Sequence, residues 1–389
     1  VVFLKKAFGV GVLTLSGSVL AADFKTDCGK LVSALLQSNI EAAPLKRLRE
    51  GPAEAFLSGE KKPWLGYFFP FQEGGVAARW QSAERGNYRL LSEDADGRLL
   101  PDARVREIVR GLSAEQLQVL SPTEKMDIYL GFYDFRITRR ELEMRGPRRT
   151  NPPQAWEGFC NGRCAAGMLQ EEPRQAVDVV NPDGIAVHFQ PNDIKGLLSA
   201  SYFYVQSYQQ MGIPNVMDRV VMEGRPDAGA FDIAVRTLLG AKQRAFVIDI
   251  DPGKEIWNQL AVGYERKLSV LSDLPLPIPS MPEATHFVDV QLKLYYLRDL
   301  HGAQLYNGDT SALANKGGAG VASIHYIYRL YLDPTEAVVG GEWRTQRPPD
   351  FLWFPEGDGT DSLGGANPYL RFNELLALAR RSTPRFHVP

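Results

Sequence analysis

Trp156-Glu-Gly-Phe-Cys160-Asn-Gly-Arg-Cys164-Ala-Ala-Gly-Met-Leu169 is the stretch that decides how this chain is read. A glycine-containing turn delivers a cysteine to the start of a helix of small residues. Backbone N–H groups and the positive end of a helix dipole stabilise a thiolate there, and can also hold an oxyanion formed on a substrate. Buried structural cysteines share this local pattern, so the segment alone does not separate a nucleophile from a packed thiol.

Working outward, Arg145-Gly-Pro-Arg-Arg-Thr-Asn-Pro-Pro153 is basic, rich in proline and unable to be helical throughout. Residues 27 to 120 read as helices joined by polar loops. Leu31, Val32, Leu35, Leu36 and Ile40 recur at helical spacing, and Ser113-Ala-Glu-Gln116 has the form of a capping box before Leu117, Val119 and Leu120. Between them, Pro63-Trp-Leu-Gly-Tyr-Phe-Phe-Pro70 reads as a buried aromatic plug. Beyond the cysteine, Ile185 to Phe189 is a strand candidate, followed by a helix capped by Asn192 or Asp193 and running to about Gln210. Asp227 to Gly240 is a further helical period, stopped by its glycine. Ala245 to Asp251 reads as a buried strand ending in acids, just before Trp257-Asn258-Gln259. Prolines alternating with apolar residues between Leu274 and Pro282 mark an extended crossing. Val288 to Leu297 and Val321 to Leu332 then alternate like half-buried antiparallel strands, with a short helix near Glu374 to Arg381.

The chain opens with Lys5 and Lys6, an apolar run from Ala7 to Leu20, and the small residues Ala21 and Ala22. This pattern predicts a secretory signal peptide over residues 1–21, because the run is shorter than the ~20 residues a membrane-crossing helix needs. Nothing later is long and apolar enough to span a bilayer, so a secreted or periplasmic protein is expected. The formal charge of -2 becomes more negative once the signal and its two lysines are gone, which offers no footprint for nucleic acid. A chain of 389 residues predicts two or three packed subdomains. Three cysteines in an oxidising compartment, Cys28, Cys160 and Cys164, favour one pair and one free thiol.

Several ordered blocks carry a resemblance. They are Trp156-x-Gly-x-Cys160-Asn-Gly, Phe189-x-Pro-x-Asp-Ile-Lys-Gly-Leu197, Ala228-Gly-Ala-Phe-x-Ile233, Ile256-Trp-Asn-Gln259, Gly340-Gly-Glu-Trp343 and Pro349-Asp-Phe-Leu-Trp353. Together, over roughly residues 120 to 356, the chain resembles the transglutaminase elicitor family. The resemblance implies an α+β fold with a papain-like transglutaminase core (126–270), preceded by the helical N-terminal region (22–125) and followed by the β-rich C-terminal unit (271–389). It also implies a cysteine nucleophile that forms a thioester with a protein glutamine and passes the acyl group to a lysine amine or to water. The expected partners are protein substrates offering Gln and Lys side chains, or a peptide ligand, with no cofactor and no metal.

By position Cys160 is the nucleophile of a Cys-His-Asp type of site. Two departures stand out: Arg163 occupies the place of the family's tryptophan, and Phe231-Asp232 that of its Phe-His. An aspartate beside the thiol would raise its pKa where a histidine lowers it. Among His188, His286, His301, His325 and His387, the best substitute base is His188. For the third member the candidates are Asp249, Asp251 and Asn258, while Trp343, Asp350 and Trp353 read as packing. The papain-like resemblance further implies a Cys28–Cys164 disulfide that leaves Cys160 free. The readings carried forward are a transglutaminase-type acyltransferase weakened by Asp232, a pseudoenzyme that binds a peptide or envelope partner, and a cysteine peptidase or amidase.

Overall fold

The structure is a computed structural model and describes residues 23–37, 43–204, 207–215, 217, 220–356 and 367–383. The expected signal peptide and His387 lie outside the described residues. In chain order the strands are Glu54–Phe56 (β1), Val177–Val180 (β2), Ala186–Phe189 (β3), Tyr208–Gly212 (β4), Phe246–Asp249 (β5), Asn258–Leu268 (β6), Ser272–Asp273 (β7), His286–Leu297 (β8), Val321–Leu332 (β9), Val338–Trp343 (β10) and Phe351–Pro355 (β11).

The two-residue period of the second half builds the sheet. Along β8, Val288, Val290, Leu292 and Leu294 are buried while Asp289, Gln291 and Lys293 face outward. The strand pairs with β9 in one unbroken register from His286↔Leu332 to Leu297↔Val321. The main path of the sheet runs β10-β9-β8-β6-β5-β11-β4, with β1 added beside β6 and β7 beside β8; β2 and β3 form a separate hairpin. All these pairs are antiparallel. The sheet curls, because helix Phe24–Gln37 touches both end strands, β4 and β10, and helix Ala228–Val235 packs on β10 and β9. The change of patterning near residue 271 is therefore no break in the sheet. Strand β6 is flanked by β5 and β8, and β11 returns from late in the chain to lie between β5 and β4. That return carries Asp350 and Trp353 to the centre of the molecule, where both are buried.

Several local expectations are met. Ser113 and Gln116 form their capping box, helix Phe372–Ser382 ends the described chain, and Trp64, Leu65, Tyr67, Phe68 and Phe69 are all buried. Others are corrected. The helix after β3 spans Pro191–Ser201 and is capped by Gln190, with Asp193 returning the bond, instead of by Asn192 or Asp193. It stops well before Gln210. Tyr202 packs edge-on against Phe372 and Phe203 against Phe71 and Phe159, and the chain beyond gains more by pairing as β4 with β11. The helical period after Asp227 is regular only through Val235, then widens into a π turn over Arg236–Ala241. The N-terminal region is helical only in parts, and between residues 43 and 100 it holds short 3-10 turns and β1. The basic segment after residue 144 is a loop as expected, and within it Arg145 is buried, donates to Glu141 and lies over the rings of Phe159 and Phe203.

Candidate functional site

Cys160 is the first residue of helix Cys160–Leu169, and the turn before it is locked from outside. The Phe159 N–H donates to Phe68 O at 2.6 Å, and a side chain at Gly158 would collide with the Phe68 ring and carbonyl. Glycine is required there because the aromatic plug lies directly on the turn. Cys160 is 5 % exposed. Its Sγ donates to Ile256 O at 3.6 Å and takes the side-chain amide of Asn258 at 3.8 Å.

Asn258 begins β6 and its orientation is determined by Trp353, whose indole N–H donates to Asn258 Oδ1 at 2.8 Å. An amide whose oxygen is engaged must present its nitrogen elsewhere, here to the sulfur. Directly across the β5–β6 pair lies Asp249, and opposed residues of an antiparallel pair project on one face. One Asp249 oxygen accepts the amides of Asp251 and Trp257; the other is buried and has no hydrogen-bond partner among the described residues. Burial, and next the neighbouring Asp350 carboxylate, hold the Asp249 carboxyl well above its ordinary range. Burial likewise pushes Asp350 up to about 6, against the pull of the Asn215 amide and of Arg225.

Burial also pushes the Cys160 thiol up to about 11. The Asn258 amides and Arg163 act to lower it, and Asp299 to raise it. None of the described histidines hydrogen-bonds to this group. His188 is on β3, bonded to Asp178 at 2.8 Å and to Gln190 at 3.0 Å. His286 pairs with Asp273, His325 faces outward from β9, and His301 rests against the rings of Tyr67 and Phe68.

Asp232, expected in the place of a catalytic histidine, is elsewhere. Its carboxylate is fully buried and accepts from Arg236 Nε, Arg266 Nε and the Tyr328 hydroxyl at 2.8, 2.8 and 2.6 Å. Arg266 is eight residues along β6 from Asn258, on the order of 25 Å of strand, farther than an arginine side chain can bridge. The residue holds two cations beneath the far end of the sheet and has no part in setting the thiol's pKa. Asp251 serves its own loop, accepting from the Gly253 amide at 2.5 Å.

The expected Cys28–Cys164 disulfide is corrected as well. All three cysteines are free and buried. Cys28 belongs to helix Phe24–Gln37 near Asp227 and Lys46, while the Cys164 thiol donates to Asn258 O at 3.4 Å. Two contributors escaped the sequence reading. Trp353, which in the sequence reads as packing, orients Asn258 through its indole N–H. Asp299, an isolated acid two residues past β8, gave no local signal, yet it lies 3.0 Å from the Arg163 guanidinium. Among the described residues no group of three or more His, Cys, Asp or Glu side chains could hold a metal ion, and no helix is long and apolar enough to cross a membrane.

Comparison with known proteins agrees with this architecture. The chain is similar in structure to the GP42 transglutaminase from Phytophthora sojae, with a TM-score of 0.65 at 19% sequence identity, covering 93% of this chain and 98% of that one. At that identity the likeness speaks for the fold. No curated protein matches the sequence. The profile of the transglutaminase elicitor family matches residues 145–382, from the loop before the Cys160 turn to the last described helix, and the chain belongs to that family.

Proposed function

We propose that this is an exported protein-glutamine acyltransferase of the transglutaminase type, with Cys160 as nucleophile. The observation that carries the reading is the contact of Cys160 Sγ, at a helix N-terminus, with the side-chain amide of an Asn258 held by Trp353. In the reaction the sulfur attacks the γ-carboxamide carbon of a substrate glutamine. First-turn amides of the helix and the Asn258 side chain are the donors nearest the developing oxyanion. The C–N bond breaks, the thiol proton leaves with ammonia, and a thioester remains. A lysine amine then attacks the thioester, forming the isopeptide bond and returning the proton to sulfur; water in its place gives glutamate. Asp249 is the group we assign to proton handling, because a carboxyl held above its ordinary range exchanges protons nearer neutrality.

A pseudoenzyme is the second reading, favoured by one observation. Burial pushes the thiol up to about 11 and no described histidine hydrogen-bonds to it, so the neutral thiol is the resting form at pH 7. Incorporation of a fluorescent amine into a glutamine-rich protein by wild type and Cys160→Ala tests both, with glutamine-to-glutamate conversion followed by mass spectrometry for the amidase outcome. Amine incorporation that disappears in Cys160→Ala is expected; equal, background-level signal in both proteins would leave the pseudoenzyme.

A further inference from the structure

Arg163 is a fully buried cation on a helix of small residues. It follows Cys160 by three positions, so the two side chains share a helix face. Its Nη2 donates to Gln259 Oε1 at 2.8 Å and to Asn258 O at 3.4 Å. Asn258 is the residue whose side-chain amide meets Cys160 Sγ. The Nε lies 3.0 Å from Asp299 Oδ1, and Gln259 completes the ring by donating to Asp299 Oδ2 at 2.9 Å. The Nε–Oδ1 approach is an ion pair without hydrogen-bond geometry, and Nε and Nη1 are both buried with no hydrogen-bond partner among the described residues.

We propose that Arg163 is the fixed positive charge that stabilises the Cys160 thiolate, and that Asp299 is its counter-charge and brake, so that the pair sets the reactivity of the thiol without a histidine. The inference rests on Cys160 as the nucleophile. A guanidinium keeps its proton at any accessible pH, so this charge does not switch off as a histidine's does. The cost of burying it is met by Asp299, whose own charge opposes ionisation of the sulfur. Of the other ionisable groups on the elements packed against the Cys160 helix, Cys164 shares the helix, Asp193 and Lys195 on helix Pro191–Ser201 are bonded to Lys125 and Glu172, and Glu265, Arg266 and Lys267 lie toward the far end of β6, with Asp249 on β5 opposite Asn258. Arg163 is the cation among them that bonds to Asn258, the residue in contact with the sulfur. A buried ion pair can also be architecture alone. The two roles differ in one readout, the titration of Cys160.

The test is site-resolved alkylation of Cys160 by iodoacetamide from pH 7 to 11, with Cys28 and Cys164 counted on separate peptides. Asp299→Asn keeps the bond from Gln259 and removes the anion. It is expected to lower the apparent pKa and raise the rate at pH 8 about tenfold, the effect of one pKa unit. Adding Arg163→Gln to Asp299→Asn removes the cation with no anion left behind, and should return the rate to the wild-type level or below. Identical pH profiles for Asp299→Asn and the double variant would overturn the proposal. If the double variant does not fold by circular dichroism, an unchanged profile in Asp299→Asn overturns it alone. Amine incorporation is run alongside. Thiol titration that follows the charges without any Cys160-dependent transfer would sink the enzymatic reading and keep the inference; transfer without the titration shift would do the reverse.

Discussion

Replacing Asp232 by histidine, the change that would restore a family-like residue, is expected to destabilise the protein and bring no activity. The carboxylate is the only anion in a buried group with Arg236, Arg266 and Tyr328. The same arginines donate onward to Arg47 O, Glu50 O and Leu48 O, so the cluster also ties the N-terminal loop to the sheet. Burial alone would raise the Asp232 carboxyl, but the Arg266 and Arg236 charges outweigh it and hold the group below its ordinary range. Histidine or asparagine leaves two facing guanidiniums without a counter-charge. Removing one partner of a buried ion pair costs about 3–5 kcal/mol, which for a chain of this size lowers Tm by about 4–6 °C. For asparagine, which does not titrate, the gap should be widest above the unfolded-state pKa of about 3.9 and should narrow as acid protonates the wild-type carboxylate. Thermal unfolding at pH 7 and pH 3, with amine incorporation on the same samples, checks both parts. A histidine variant with unchanged Tm, or one that gains Cys160-dependent incorporation, would refute the placement of this residue away from the reaction centre.

Trp353→Phe keeps the ring but loses the bond that orients Asn258, so amine incorporation should fall about tenfold with little change in Tm, in line with one buried hydrogen bond; an unaffected rate would remove Asn258 from the site. Denaturing the purified protein without reductant should release three thiols per chain, since each cysteine is free; a count of one would restore the disulfide. Asp227 caps helix Ala228–Val235 through Gly229 and Ala230, and burial pushes its carboxyl up to about 7. Its folded-state pKa exceeds the unfolded value, so the stability this one group contributes is fully present below about pH 4 and is lost as pH rises through about 7. Asp227→Asn keeps a good cap and no titrating group, and urea midpoints across that range should show the variant gaining on wild type as pH rises.

What could be read ahead of the structure was local. The period of β8 and β9, the capping box at Ser113 and the glycine turn before Cys160 are each written in residues a few positions apart, and Asn258 followed from its place in a short block. What could not be read depended on register. Asp232 meets Arg266 across 34 positions and Tyr328 across 96, through pairings that only the assembled sheet defines, so position in a family pattern put it at the wrong end of the molecule. The burial of Arg163 was half legible. An arginine between Gly162 and Cys164, on a helix whose other early residues are small or apolar, has nowhere to snorkel and obliges the fold to bring an anion to it. The sequence carries that demand openly, while the supplier, Asp299, is one acid among many until β8 pairs with β6 and sets the chain leaving Leu297 against the Cys160 helix. A charge that a local pattern cannot house is thus a sign of a long-range partner, and here the partner arrives beside the one thiol at the start of its helix.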